Sequence, residues 1–172
     1  GIGDAVIQSK NSSVWFNNEF SYTGNVTTDL FIDGETGVTF NSASGPSTID
    51  YTQGTDPSAH IGIQSNAGTI AFKNKAFTFK SKSIGKTQLW AGANITSTDN
   101  APLLFEYTVR NGGQDIDWYA GRDIDLSGTL TFKHDDAKDH TGFIKLRANA
   151  NEAELWNHNS TDPTGRPGAG IC

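Results

Sequence analysis

The densest gathering of groups able to hold a metal or move a proton is His134-Asp135-Asp136-Ala137-Lys138-Asp139-His140, two imidazoles and three carboxylates in one short run. Carboxylate oxygens suit hard cations and imidazole suits transition metals. The run lacks the Asp-x-Asp-x-Asp-Gly order of a calcium loop. It also lies between apolar segments that end at Phe132 and begin at Phe143, so a solvated polar turn is expected. A second arrangement is the pair of Asp-Ile-Asp motifs, Asp115 to Asp117 and Asp123 to Asp125. Two carboxylates flanking a sugar, about 5 to 9 Å apart, would hydrolyse a glycosidic bond. Alternation predicts instead that these Asp residues line the solvent side of strands whose Ile and Trp point inward. The sequence has no nucleophile elbow, phosphate-cradling loop, dinucleotide fingerprint or His-Glu zinc motif. A single cysteine, Cys172, excludes an internal disulfide and a Cys-rich metal site. The expectation is a protein that is not an enzyme and uses no cofactor and no metal.

The aromatic residues point toward recognition. Trp15, Trp90, Trp118, Trp156 and Tyr119 are of the types that stack on sugar faces, and neutral Asn and Thr supply orienting hydrogen bonds. Alternation places Trp118 in the core and Tyr119 outside. The outward aromatic and polar positions Tyr119, Asp117, Arg122 and Trp90 are therefore the expected ligand contacts.

These residues sit in a chain of 172 residues, a length that suits one domain. A formal charge of -6 argues against a nucleic-acid partner, whose phosphates draw affinity from clustered Lys and Arg. Lys73, Lys75, Lys80, Lys82 and Lys86 are interleaved with Phe77 and Phe79 and fit the solvent side of strands. No apolar run approaches the roughly 20 residues that cross a bilayer, so membrane insertion is not expected. The polar surface is hydroxyl-rich and nearly neutral, with 14 Ser, 19 Thr and 14 Asn against 19% charged residues. The chain contains no Met and starts at Gly1, which suggests a segment of a longer product. Residues 1–164 are expected to form one module. Residues 165–172 read as a Gly/Pro-rich linker or truncated end.

Nearly every apolar segment is short, β-branched or aromatic, and alternating. Phe105, Tyr107 and Val109 oppose Glu106, Thr108 and Arg110; Ile116 and Trp118 alternate with Asp115 and Asp117. Ile124 and Leu126 alternate with Asp123 and Asp125, and Ile144, Leu146 and Ala148 with Lys145 and Arg147. Half-solvated antiparallel strands show this pattern. Asn111-Gly112-Gly113 predicts a hairpin between the Phe105 and Ile116 strands, and Asp33-Gly34 and Ser127-Gly128 are similar turn signals. A helix over Asn149 to Trp156 competes with a strand starting at Ala153. Thr36-Gly37-Val38-Thr39-Phe40-Asn41 resembles both Ala67 to Lys73 and Ser127 to Lys133, and the Ala-Gly steps at Ala91 and Ala120 are similarly placed. Together they suggest a repeat near 30 residues, one supersecondary unit stacked on its neighbours.

The Gly-Thr-x-Thr-Phe strands, the stretch Asn-Val-Thr-Thr-Asp-Leu-Phe-Ile-Asp-Gly at 25–34 and Glu-Leu-Trp-Asn-His-Asn at 154–159 resemble bacteriophage tail fibres. That resemblance implies a homotrimeric, extracellular segment on a virion, serving host attachment through a surface glycan or an outer-membrane receptor. The fold expected is all-β, with short antiparallel strands and hairpins in a sandwich-like or fibre-type module. The alternative is a monomeric β-sandwich, either a carbohydrate-binding module or a pilus-type adhesin subunit on a cell-surface appendage.

Overall fold

The computed structural model describes residues 4–25, 27–54, 58–83, 85–107, 116–134 and 144–150. The chain winds into a β-solenoid whose rungs each contribute one strand to three parallel sheets. The first rung holds β1 (Ala5–Ser9), β2 (Val14–Phe16) and β3 (Ser21–Asn25), and the second β4 (Leu30–Gly34), β5 (Gly37–Asn41) and β6 (Ser47–Gln53). The third holds β7 (Ile61–Ser65), β8 (Thr69–Lys73) and β9 (Phe77–Ser81), and the fourth β10 (Thr87–Ala91), β11 (Ile95–Ser97) and β12 (Leu103–Tyr107). Then come β13 (Ile116–Ala120), β14 (Ile124–Leu126) and β15 (Leu130–His134), followed by β16 (Ile144–Arg147). Sheet A stacks β1, β4, β7, β10, β13 and β16; sheet B stacks β2, β5, β8, β11 and β14; sheet C stacks β3, β6, β9, β12 and β15.

This arrangement overturns the antiparallel hairpin and sandwich expectation. Strands next to each other in sequence lie in different sheets, and each strand pairs with the one a full rung away, in parallel. The Phe105 and Ile116 strands are not partners: β12 pairs with β9 and β15, and β13 with β10 and β16. The Asn111 to Gly113 turn itself lies outside the described residues, as do residues 135–140 of the polar run, most of the helix proposed from Asn149 and the boundary at 164. Alternation misled because a solenoid wall has one face on the core and one outside, so its parallel strands carry the same two-residue period as a half-solvated antiparallel pair. Asp33-Gly34 closes β4, just before a corner, and Ser127-Gly128 lies at the corner between β14 and β15, where the chain changes sheet without reversing.

Inward side chains form ladders through the rungs. In sheet B the rings of Phe16, Phe40 and Phe72 stack with centroids 4.9 and 5.4 Å apart. In sheet C, Phe79, Phe105 and Phe132 follow one another at 5.7 Å per step with their ring planes tilted. Each such ring pair contributes about 0.5–1.5 kcal/mol beyond its buried area. Trp118 enters the same interior from sheet A, its ring 5.2 Å from that of Phe105. Burial also pushes the Tyr107 phenol above its ordinary pKa, so that it sits neutral in the core.

The sheets differ in their outer faces. Strands β6, β9 and β12 of sheet C alternate buried and half-buried, with Asp50, Lys80, Glu106 and Lys133 in one register row of alternating charge. Lys133 Nζ donates to Glu106 Oε1 at 3.0 Å. In sheet A, β4, β7, β10 and β13 are buried at every position, so their outer side chains are covered too.

Candidate functional site

Three of the four expected contact residues meet on the outer face of sheet A. One register row runs Gln8, Asp33, Gln64, Trp90, Tyr119, Arg147, and the parallel row runs Val6, Phe31, Gly62, Gln88, Asp117, Lys145. Trp90 and Tyr119 are direct cross-strand partners and pack with Ala150. Tyr119 points away from the interior, as alternation predicts, yet only 2% of it is exposed; Trp90 keeps 6% and Asp117 1%. Gln64 Nε2, Trp90 Nε1 and Asp117 Oδ1 are buried without a hydrogen-bond partner among the described residues. Asp33 accepts a hydrogen bond from Gln8 Nε2 at 2.9 Å. Arg122 lies apart, exposed at the corner between β13 and β14, where its backbone N–H donates to the Ala93 carbonyl. The row is therefore a buried layer that mixes polar and aromatic side chains.

An open concavity lies on sheet B. A groove of about 410 Å³ crosses its outer face. Its central register row is Trp15, Thr39, Ala71, Thr96 and Asp125, one residue per rung. Trp15 is 56% exposed, the most open of the large apolar side chains among the described residues. Inward Val14 and Phe16 on either side force it outward. Thr39 and Ala71 form a floor that is 6% and 5% exposed. Gly37 and Gly68 at the groove edge add no side chain to obstruct it. The hydroxyls of Ser13 and Thr36 lie 2.9 Å apart on the rim, and Thr69, Thr96 and Thr98 extend the hydroxyl lining. Lys73 Nζ sits 6.0 Å from the Trp15 ring centroid, within reach of a cation–π attraction. Charge is sparse: Lys73 on the middle rung, its Nζ reaching toward Trp15, and Asp125 on the last.

The Asp-Ile-Asp motifs do not converge. Asp117 faces outward from sheet A and Asp125 outward from sheet B, while Asp123 is exposed at the corner and Asp115 lies outside the described residues. No group of three or more His, Cys, Asp or Glu able to hold a metal occurs among the described residues.

Sequence reasoning named Trp15 among the aromatics without selecting it. The signal was present, since in Val-Trp-Phe the central residue must oppose its neighbours. The threonines carried none, because Thr is common on any strand. No protein-family model, curated protein or solved structure matches the chain significantly.

Proposed function

We propose that this chain is a non-catalytic, adhesive β-solenoid, a rigid segment of an extended extracellular protein such as a phage tail fibre, with sheet B as the face that meets a glycan on its target. The observation that carries the reading is the groove in which exposed Trp15 stands over a floor of small residues and a lining of hydroxyls. An aromatic face against sugar C–H groups, with a few neutral hydrogen-bonding groups around it, is the chemistry of carbohydrate recognition. The separation of Asp117 and Asp125 onto different sheets supports binding over hydrolysis by these carboxylates. A homotrimer belongs to the same proposal and rests on the resemblance to tail fibres.

The test is to incubate immobilised protein with bacterial surface polysaccharides and to read both retention and the size of the recovered polymer. Retention without shortening is expected. Shortening, or retention of none of them, would overturn the proposal.

A further inference from the structure

The groove has a direction as well as a chemistry. Its central row takes one residue from each of β2, β5, β8, β11 and β14. Neighbouring strands are about 4.8 Å apart, so the row runs roughly 19 Å along the solenoid axis. That step is close to the advance of one residue in an extended pyranose chain, so a polymer laid along the axis meets a new rung with each sugar. A ligand lying across the axis would use one rung only. Thr39 and Ala71, 6% and 5% exposed, with Gly37 and Gly68 beside them, put little bulk over the middle of the row, so a chain crosses it unobstructed and makes its contacts with the half-buried threonines around it. Trp15 closes one end as a stacking platform.

Charge selects the polymer. Lys73 is the one basic side chain in the lining and lies against the Trp15 ring; Asp125 sits on the last rung of the row. With a net charge of -6, the chain as a whole repels a polyanion. We infer that the sheet B groove binds a linear, uncharged polysaccharide running along the solenoid axis, with one sugar stacked on Trp15 and later residues hydrogen-bonded to Thr69, Thr96 and Thr98. This inference rests on the adhesive reading and narrows it to a ligand class and an orientation.

Calorimetric titration with neutral linear gluco-, manno-, galacto- and rhamno-oligosaccharides, from disaccharide to hexasaccharide, with oligogalacturonides as the acidic counterpart, tests it. At least one neutral series is expected to gain about tenfold in affinity from disaccharide to tetrasaccharide. Trp15→Ala should lose about tenfold at every length, and Trp15→Phe should retain part of the binding. Thr96→Val, two rungs beyond the floor residue Thr39, should weaken the longer ligands about threefold and leave the disaccharide unchanged. Circular dichroism confirms that the variants fold. Length-independent affinity with a silent Thr96→Val, or preference for the acidic series, overturns the inference and leaves the adhesive reading standing. Failure of every neutral series by a protein that still retains whole polysaccharide also overturns the inference alone. Failure of both removes the adhesive reading with it.

Discussion

Trp118 and Trp15 show how one residue type takes opposite roles by strand parity. Trp118 shares the inward parity of Ile116 and Ala120 and is fully buried, whereas Trp15 sits between two inward residues and stands in solvent. Trp118→Ala should therefore cost about 3–5 kcal/mol in denaturant unfolding, while Trp15→Ala should stay within about 0.5 kcal/mol of wild type. Acidity acts through a different residue. Partial burial alone would raise the Asp29 carboxyl, but hydrogen bonds from His60 and its nearby imidazole outweigh this and hold it below its ordinary value. Its Oδ1 accepts the His60 backbone N–H at 2.8 Å, with the imidazole Nδ1 at 3.6 Å. A depressed folded-state pKa stabilises the fold above the unfolded carboxylate value, about pH 4, and that contribution disappears as the pH falls through the lower folded value. The thermal midpoint is expected to drop over that acidic window, and Asp29→Asn should start lower and drop less.

At the level of elements, the corners decide whether rungs can stack. A Cβ on Gly92 would fall on the carbonyl of Asn66 in the rung before it, and one on Gly121 on the carbonyl of Gly92. The backbone hydrogen bonds Gly92 N–H to Ser65 and Gly121 N–H to Ala91, both 2.9 Å, keep those rungs close. Gly92→Ala and Gly121→Ala should each destabilise by about 1–3 kcal/mol, read from the denaturation midpoint, because backbone must move. These glycines were visible in the sequence as the two Ala-Gly steps, and Ala91 and Ala120 are register partners. Phe40 and Phe72 likewise stand in register on β5 and β8. Phe132, matched to them by its Gly-Thr-x-Thr-Phe context, belongs to sheet C beside Phe105. The same short motif thus serves two walls, and this blurred a repeat whose register pairs Leu30 with Ile61 and Ile61 with Thr87. Strand positions and inward faces were legible because burial imposes period two. Strand direction was not, because that period is common to both pairings. The covered outer face of sheet A was hidden as well, since Asp117 was expected on the solvent side of its strand and is instead buried, as are Asp33 and Gln64.

Across the whole molecule, stability follows from nearest-neighbour stacking, so order should be greatest in the middle and decline toward the ends. The residues of β7 and β10 are buried throughout, whereas those of β2 and β14 are half-buried or exposed. Amide hydrogen exchange should be slowest in β7 and β10 and faster by about tenfold or more in β2 and β14. Light scattering is expected to give three times the 18.5 kDa chain mass if the fibre reading is right, and the chain mass itself would remove the trimer from it.

The solenoid as a glycan-holding surface is tested most directly by electrophoresis of native protein and Trp15→Ala through gels containing a retained neutral polysaccharide. The wild-type band should be retarded, the Trp15→Ala band should run about as in a polysaccharide-free gel, and the polymer should stay full length. Equal retardation of both proteins, or polymer shortened along the wild-type track, would contradict the account.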